Sequence, residues 1–280
     1  MSDSKVWLVT GCSAGLGSAL AKTVLAHGHK LIASSRNPSK TPDLVQQITS
    51  QGGHWIALDT TAPDLEGTVA RAEAIYGRLD VVVNNAGKWR FGLEDARRQM
   101  ETNFWGPCRI MLAVLPGMRA RKSGFIVNVT SAAGLRVLPT YSHYSSTKFA
   151  LEAISEGIAQ EVANFNIRIQ LVEPGAFRTN FLGQDNIQYA PLSEPYKGTV
   201  CEEILGKLRA MDGKQAGNPV QAAQRIFEVV TGQGMAEGRK ANLRLPLGSD
   251  CIQTVRAKLD RVRENFEQFE DIAVSTDGDA

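Results

Sequence analysis

The chain has few of the residues that build disulfide frameworks and metal centres. Its 280 residues include four cysteines and four histidines. The cysteines lie far apart and form no Cys-x-x-Cys pair, and the histidines lack the spacing of metal ligands. The sequence therefore predicts neither a disulfide scaffold nor a metal site, and a reduced compartment, the cytoplasm, fits it best.

An excess of one charge is also missing, as is any long apolar run. There are 31 basic and 29 acidic residues, a net charge of +2, which gives no electrostatic surface for nucleic acid or an anionic membrane. No stretch approaches the ~18 apolar residues of a transmembrane helix. The start, MSDSKVWLVTG, lacks the basic region of a signal peptide. We expect no nucleic-acid partner and no integral membrane segment.

What the chain does contain is an alternation of short apolar runs and longer helical patterns. The runs predict strands at 6–10, 30–34, 54–59, 79–85, 125–131, 167–174 and 241–246. The helical patterns lie at 15–27, 40–51, 63–76, 93–121, 142–165, 219–231 and 250–270. This alternation predicts an α/β fold, a Rossmann-type doubly wound parallel sheet of about seven strands with helices on both faces. Ligands of such sheets bind beyond the carboxyl ends of the strands.

The alternation stops over residues 175–217, which contain glycine, proline and several large apolar side chains. These are Phe177, Phe181, Leu182, Tyr189, Leu192 and Tyr196. No repeat or linker divides the chain, so we assign residues 1–280 to a single domain with a frayed tail at 272–280. In the C-terminal helix, Ile252, Val255, Leu259, Val262 and Phe266 recur at helical spacing. We expect this face to pack on the core, with an interface or a membrane surface as the alternatives.

A tyrosine and a lysine stand four residues apart in the stretch YSSTK, residues 144–148. On a helix these positions share a face, with Cβ atoms roughly 5–6 Å apart. A neighbouring cation favours the ionised form of an acid, so we expect Lys148 to lower the pKa of Tyr144 and make it a candidate general acid/base. Taken alone, the spacing favours a simpler interpretation, a half-buried tyrosine beside a solvated lysine.

The first predicted strand runs into a glycine-rich turn, TGCSAGLG, at residues 10–17. Gly11, Gly15 and Gly17 allow a tight turn and close approach of the backbone to a ligand. The helix that begins here directs its free N–H groups at that ligand, and a diphosphate suits them. At the first strand-to-helix turn of an α/β chain, this pattern favours dinucleotide binding over a purely structural turn.

The end of the second predicted strand bears on the choice of cofactor. NAD sites usually place an acidic residue there to bind the adenosine ribose, whereas this chain has Ser35 followed by Arg36. An acid would repel a 2′-phosphate, and an arginine can bind one with two hydrogen bonds. The sequence therefore predicts NADP(H), although a solvated loop arginine is the simpler alternative.

Together these motifs resemble the short-chain dehydrogenase/reductase family. The resemblance rests on TGCSAGLG, on NNAG at 84–87, on Asn103 and Ser131, on YSSTK and on EPG at 173–175, and it spans roughly residues 5–246. Within the family, the chain is most similar to the 17β-hydroxysteroid-dehydrogenase-like and retinol-dehydrogenase-like members. The resemblance implies an NADP-dependent enzyme that acts on an alcohol or a carbonyl group.

The resemblance also implies roles for individual residues. Tyr144 would exchange a proton with the substrate oxygen, to which Ser131 would hydrogen-bond. Lys148 would hold the nicotinamide ribose, and Asn103 would kink its helix and hold a water that passes protons to Lys148. The implied cofactor contacts are Gly11, Cys12, Ser13, Gly15, Leu16, Gly17, Arg36, Asp59, Asn84, Ala86, Gly87, Tyr144, Lys148, Pro174, Gly175 and Thr179.

Two features depart from the commoner family pattern. Ala14 stands where many NADP-dependent members carry a basic residue, so the NADP(H) prediction depends on Arg36. After NNAG, the loop KWRFGLED is about one residue short and brings in the bulky Trp89 and Arg90, which would reshape the substrate pocket.

In relatives, the segment that corresponds to 175–217 forms a lid over the substrate. Its apolar residues, with Val137, Leu138 and Tyr141, predict a roomy apolar pocket for a steroid-, retinoid-, polyketide- or alkaloid-like substrate, unless they pack the lid itself. The helices at 93–121 and 142–165 commonly form a dimer interface in the family, so a homodimer or homotetramer is expected. Two other functions stay open: an added isomerase or cyclase activity in natural-product biosynthesis, and a non-catalytic NADPH sensor.

Overall fold

The computed structural model describes residues 4–90, 93–183, 187–188 and 192–278. Its strands are β1 Val6–Val9, β2 Lys30–Ser35, β3 His54–Ala57, β4 Val81–Asn84, β5 Trp89–Arg90, β6 Gly124–Val129, β7 Ile167–Pro174, β8 Ile187–Gln188 and β9 Arg244–Leu247. Its α-helices are α1 Gly15–Ala26, α2 Pro42–Ser50, α3 Leu65–Tyr76, α4 Leu93–Met100, α5 Gly106–Ala120, α6 Ser142–Glu161, α7 Val200–Met211, α8 Pro219–Thr231, α9 Ser249–Gln268 and α10 Glu270–Val274.

Seven of these strands form one parallel sheet, in the order β3-β2-β1-β4-β6-β7-β9. From β1 the chain adds β2 and β3 on one side, and it then crosses to the other side of β1 to add β4 and the later strands. This reversal of direction opens a crevice at the carboxyl ends of the central strands, where doubly wound sheets bind their ligands. The predicted fold class is confirmed, because all seven predicted strands lie in this sheet.

Two apolar layers cover the sheet, one on each face. One contains Trp7, Leu20, Leu31 and Phe227, where α1 and α8 pack against the strands. The other contains Leu8, Val69, Met111 and Ile158, where α3, α5 and α6 pack. Because both faces are buried, the strands can be apolar along their whole length, as the sequence suggested.

Three elements differ from the sequence-based prediction. The predicted helix at 93–121 is interrupted at Glu101–Trp105 by a π-helical segment between α4 and α5. The segment predicted to be irregular, 175–217, contains the helix α7 and the short strand β8, which pairs with β5. Residues up to Val274 are helical in α10, so the tail begins later than expected.

The C-terminal helix α9 does not pack on the core along its length. Cys251, in its first turn, is the one buried residue among its described side chains. Leu259 and Phe266 are exposed, so the expectation that this apolar face packs on the core is wrong. Among the described residues, no helix is both long and apolar enough to cross a membrane.

Candidate active site

A cavity of about 550 Å³ lies at the carboxyl ends of the sheet strands. It extends from the glycine-rich turn after β1, past the ends of β4 and β6, to the start of α9. Most residues predicted from the sequence line it: Gly11, Ser13, Gly15, Leu16, Arg36, Asp59, Ala86, Gly87, Ser131, Tyr144, Lys148, Pro174, Gly175 and Thr179. The fold therefore brings together residues from distant parts of the sequence. Gly11 and Thr179, the first and last of this list, are 168 positions apart.

The glycine-rich turn suits a diphosphate. Gly11 and Gly15 have φ of +72° and +59°, a left-handed conformation that glycine adopts at little cost. Ala14 precedes α1 and offers no side-chain cap, and no acidic residue stands in the first turn of the helix. The first N–H groups of this 12-residue helix therefore face the cavity without a side-chain acceptor, which is the arrangement that binds anions.

Three of the predicted cofactor contacts lie outside the cavity lining. The amide of Cys12 donates to the carbonyl of Ser34 at 2.8 Å, its Sγ contacts the carbonyl of Val9, and burial raises its pKa to about 12. Gly17 is the third residue of α1, where a Cβ would lie 2.5 Å from the carbonyl oxygen of Gly11. Cys12 and Gly17 therefore shape the turn from behind, and neither lines the cavity.

The third contact outside the lining is Asn84, whose neighbour Asn85 lines the cavity instead. The Asn84 amide is buried and donates to Asn128 Oδ1 at 2.8 Å, inside the sheet. Asn85 Nδ2 donates to the carbonyl of Thr10 at 2.8 Å and so ties the end of β4 to the glycine-rich turn. The NNAG motif contains two adjacent asparagines, and the sequence did not show which of them faces the cavity.

Tyr144 is buried and lines the cavity together with Ser131, whose Oγ donates to the carbonyl of Pro174 at 3.4 Å. Ser131 follows β6, and its Oγ also accepts from the amide of Ala133 at 3.1 Å, which fixes its position. Burial raises the pKa of Tyr144 to about 12, while the Ser131 side chain acts in the opposite direction. The expected lowering of this pKa by Lys148 is therefore wrong for the protein alone, because the shift is upward, burial is its largest cause and Lys148 is not among its causes.

Lys148 lies one helical turn further along α6, with its Nζ 5.9 Å from the ring centroid of Tyr144. Its ammonium donates to the carbonyl of Val129 at 2.9 Å. Burial lowers the pKa of Lys148 to about 8, and the carboxylate of Glu152 partly offsets this. The predicted pair thus lies on one face of α6 and points into the cavity, with the lysine buried rather than solvated.

Asn103 occupies the π-helical segment and is fully buried. Its Oδ1 accepts from the amide of Lys88 at 2.8 Å, and its Nδ2 donates to the carbonyl of Lys88 at 2.8 Å and to Thr147 Oγ1 at 3.1 Å. One amide side chain therefore joins the loop after β4 to α6, the helix that carries Tyr144 and Lys148. The widened helix turn supports the predicted kink, while the predicted water relay to Lys148 stays a prediction.

Sequence reasoning missed a buried ionic cluster behind Lys148. Arg244, on β9, is paired with Glu152 of α6 and with Glu173 of β7, the latter at 3.0 Å. It also reaches the exposed Glu156 at 3.0 Å. Burial raises the pKa of both Glu152 and Glu173, and Arg244 acts in the opposite direction. Glu152 continues the four-residue spacing of Tyr144 and Lys148, and this was the available sequence signal.

The adenosine end of the predicted site is basic. Arg36 follows β2, lines the main cavity and also lines an adjoining pocket of about 370 Å³. Lys88, Arg98, Thr61, Thr102 and Glu101 complete the lining of that pocket. Within the described ranges, no carboxylate pairs with Arg36, which is exposed. Asp59 lines the cavity nearby and accepts from the amide and the hydroxyl of Thr61 at 2.9 and 2.8 Å.

The opposite end of the cavity, beyond Tyr144, is apolar. The rings of Trp89 and Phe181 lie 5.4 and 6.0 Å from the ring of Tyr144, and Trp89 also contacts Tyr141. The other apolar lining residues at this end are Leu138, Leu182, Ile204, Leu208 and Met211, of which the last three belong to α7. Phe177 lines the cavity as well.

Three residues predicted for the apolar pocket lie outside its lining. Val137 and Tyr196 are exposed. Leu192 packs against a small apolar cluster around Trp89 and Tyr144. Tyr189 lies outside the described residues, and so do the side chain of Arg90 and several positions between 184 and 191. In the part of the chain that is described, no group of three or more His, Cys, Asp or Glu side chains could hold a metal ion.

Several known proteins are similar to this chain in sequence or in fold. A curated protein from Passalora fulva, oxidoreductase claN, is 40% identical over 215 residues, which cover 74% of this chain and 97% of that protein. Human retinol dehydrogenase 8 is 32% identical over 255 residues, 85% of this chain and 81% of its own length. A crystal structure of a short-chain dehydrogenase from Streptomyces avermitilis covers 99% of this chain and 100% of its own, with a TM-score of 0.88 at 36% identity.

Solved structures of the same fold bind either nicotinamide cofactor. A short-chain dehydrogenase/reductase from Burkholderia phymatum, in complex with NAD, has a TM-score of 0.80 at 18% identity and covers 94% of this chain and 95% of its own. A metagenomic short-chain oxidoreductase in complex with NADP has a TM-score of 0.66 at 22% identity and covers 87% and 97%. The family profile described as short chain dehydrogenase matches residues 5–190. The chain is therefore an oxidoreductase of the short-chain dehydrogenase family.

Proposed function

We propose that this protein is an NADP(H)-dependent oxidoreductase that interconverts a ketone and an alcohol on a bulky apolar substrate. The observation that carries the proposal is the position of Tyr144 and Ser131 in the lining of one cavity. They lie on a cavity that has an uncapped helix N-terminus on one side and an apolar end on the other. When bound, the nicotinamide supplies or accepts the hydride.

The residues of the chain supply the proton and hold the reacting groups. With its pKa raised to about 12, Tyr144 carries its proton at neutral pH and can donate it to the oxygen of a carbonyl as that oxygen gains charge. The Ser131 hydroxyl donates a second hydrogen bond to the same oxygen. The Lys148 ammonium lies near the Tyr144 phenol, and its positive charge stabilises the tyrosinate that forms when Tyr144 gives up its proton. These roles fit carbonyl reduction.

The cofactor preference is argued from charge at the adenosine end. Arg36 and Arg98 line one pocket there, and among the described residues no carboxylate pairs with Arg36. The position at the end of β2 that is acidic in many NAD sites is Ser35, whose hydroxyl accepts from the indole of Trp55 at 3.2 Å. An exposed arginine beside a ribose site favours a ligand with the additional 2′-phosphate, which is NADP(H).

The substrate class is argued from the apolar end of the cavity. Trp89, Phe181 and Leu208 present rings and aliphatic surface to the reacting position, and α7 closes that side. A flat or elongated apolar carbonyl compound, such as a steroid, a retinoid or a polyketide, buries more surface there than a sugar. Human retinol dehydrogenase 8, a relative, is named for an apolar alcohol of this kind.

Tyr144→Phe tests the catalytic assignment. The variant keeps the ring but loses the phenolic proton, so we expect ketone reduction to fall by about 10²-fold or more. The affinity for NADPH should stay close to that of the natural protein, because the cofactor contacts remain. Turnover is followed by NADPH absorbance with a panel of bulky ketones, and affinity by cofactor fluorescence. Activity retained in Tyr144→Phe would contradict the proposal.

Arg36→Asp tests the cofactor assignment. We expect NADPH affinity to fall about 100-fold, since a charged bidentate contact contributes about 3 kcal/mol, and NADH affinity to stay the same or rise. Arg97→Asp on α4 is the matched control, because Arg97 is exposed and lines neither pocket. Equal weakening of NADPH and NADH binding in Arg36→Asp would refute the NADP(H) preference without affecting the oxidoreductase assignment.

A further inference from the structure

One polar side chain of the cavity lining has no role in the proposed chemistry. Gln215 follows α7 and lines the cavity, although it is only 2% exposed. Neither its Oε1 nor its Nε2 has a hydrogen-bond partner among the described residues. Most buried polar side-chain atoms are paired, and leaving one unpaired costs free energy. An unpaired donor and an unpaired acceptor on one cavity-lining side chain therefore point to a ligand.

The backbone around Gln215 is tied to the segment that follows β7. The carbonyl of Gln215 accepts from Arg178 Nε at 3.2 Å. Two residues later, the amide of Gly217 donates to the carbonyl of Ala176 at 3.1 Å, and its carbonyl accepts from the amide of Arg178 at 2.8 Å. Gly217 also forms a parallel bridge with Phe177, which lines the cavity. These bonds hold the Gln215 side chain against the cavity.

Gln215 adjoins the apolar, substrate end of the cavity. Three apolar residues of α7 line that end, at steps of four and three: Ile204, Leu208 and Met211. Gln215 comes four positions after Met211, just beyond the end of the helix. Lys207, the polar lining residue of α7, is paired with Glu203. The unpaired amide of Gln215 therefore stands beside an apolar wall.

A hydroxyl group fits the two unpaired atoms of this amide. Nε2 carries two N–H donors, and Oε1 is an acceptor. A hydroxyl accepts a hydrogen bond with its oxygen and donates one with its proton, so a single group can pair with both atoms. An ionised carboxylate only accepts, and it would leave Oε1 unpaired beside a negative charge. The amide therefore favours an uncharged hydroxyl over an anion.

We propose that Gln215 binds a hydroxyl group of the substrate, at a position other than the reacting carbonyl. The inference rests on the proposed function, because it names the substrate of the same site as an apolar hydroxyketone. Both amide atoms are covered in the protein alone, so the Gln215 side chain turns toward the hydroxyl as the substrate binds. A ketone without the hydroxyl leaves the amide unpaired, and the site discriminates against it for that reason.

Matched ketones test the proposal. In each pair the two compounds differ by one hydroxyl group: androsterone with its deoxy counterpart, and long-chain methyl ketones with and without a hydroxyl on the chain. A further compound of each series carries a carboxylate in place of the hydroxyl, since Arg136 also lines the cavity. With NADPH, we expect kcat/KM of the natural protein to be about 10–100-fold higher for the hydroxyketone of at least one pair than for its deoxy counterpart.

Gln215→Met removes both polar atoms and keeps the length of the side chain. We expect the ratio of kcat/KM values within the preferred pair to fall to about one, because the hydroxyl then has no partner. NADPH affinity, measured by cofactor fluorescence, should stay the same. Gln221→Met is the matched control, because Gln221 is exposed on α8 and lies outside the cavity lining. Its ratio should match that of the natural protein.

The possible outcomes separate this inference from the proposed function. If ketones are reduced but no hydroxyketone is preferred, or if Gln215→Met keeps the preference, the inference is wrong and the proposed function stands. A preference for the carboxylate compounds would assign an anionic substrate and overturn the inference. A loss of NADPH affinity of about tenfold or more in Gln215→Met would assign the amide to the cofactor instead. If no ketone is reduced, the proposed function fails and the inference fails with it.

Discussion

At the scale of single residues, the proposed catalytic face of α6 is a row of three side chains spaced four residues apart. Tyr144, Lys148 and Glu152 are all buried, and the row continues across the sheet through Arg244 to Glu173. Lys148 is thus buried beside Glu152, and the partly exposed Arg244 pairs with both Glu152 and Glu173, so the two cations face two buried carboxylates. An unpaired buried charge costs several kcal/mol, so this balance explains how a lysine can be held inside the protein.

Glu152→Gln is predicted to change the pH dependence of the reaction. Among the described residues, Lys148 faces the Val129 carbonyl, the Tyr144 ring and the Glu152 carboxylate. The Glu152 carboxylate is the anion of these three groups. Because that anion raises the pKa of Lys148, its removal lowers a pKa that is already reduced to about 8. Lys148 then loses its proton at a lower pH, and the alkaline limb of the kcat/KM profile for ketone reduction moves to lower pH.

Glu156→Gln is the matched control for this change. Glu156 also pairs with Arg244, at 3.0 Å, but its side chain is 55% exposed and lies one turn further from Lys148. We expect its pH profile to match that of the natural protein. If Glu152→Gln lowers stability but leaves the alkaline limb in place, Glu152 has only a structural role.

At the scale of secondary-structure elements, the phosphate end of the site depends on how closely α1 approaches β4. The carbonyl of Gly11 and the amide of Asn85 both lie against Gly17, and Asn85 in turn bonds to the carbonyls of Thr10 and Gly11. The middle of the site depends on the π-helical segment at Glu101–Trp105, which turns Asn103 inward between the loop after β4 and α6.

Gly17→Ala is predicted to destabilise the protein by about 1–3 kcal/mol, because its Cβ would lie 2.5 Å from both Gly11 O and Asn85 Nδ2. Affinity for NADPH should fall with it, since the turn must move. Gly206→Ala on α7 is the control: no atom lies within 4 Å of the added Cβ, so the better helix propensity should stabilise the protein by about 0.5–1 kcal/mol. Urea denaturation measures both, and equal stabilities would contradict the close packing at Gly17.

At the scale of the whole molecule, one cavity joins the ends of several strands to the starts of α1 and α9 and to the side of α7. A ligand in this cavity bridges elements from both halves of the sheet. The proposed cofactor should therefore stabilise the native state as a unit, by an amount that depends on its free concentration relative to its Kd.

NADPH is predicted to raise the melting temperature more than NADH does. At a concentration of about 100 Kd, the gain is about 2.7 kcal/mol, or roughly 5–10 °C for a protein of this size. Tyr144→Phe should keep this shift, whereas Arg36→Asp should lose most of the difference between the two cofactors. Differential scanning calorimetry gives the result, and equal shifts with both cofactors in the natural protein would contradict the NADP(H) proposal.

The sequence by itself determined the features that local pattern controls. Apolar runs of strand length, separated by helical periods, were sufficient to predict the seven strands of the sheet and their α/β class. The glycines of TGCSAGLG and the four-residue spacing of Tyr144 and Lys148 predicted two parts of the cavity. The strands, the glycine-rich turn and the Tyr144–Lys148 spacing each depend on residues that lie close together in the sequence, so a local pattern is enough to predict them.

Only the tertiary structure decided the properties that depend on what surrounds a side chain. Burial, rather than the adjacent lysine, sets the direction of the Tyr144 pKa. Arg244 meets Glu152 although 92 positions separate them, and Asn85 rather than Asn84 faces the cavity. The same amphipathic pattern that would suit a core helix is left exposed in α9. Desolvation and long-range ion pairs depend on how distant segments of the chain pack together. The apolar periodicity of a single segment cannot predict that packing.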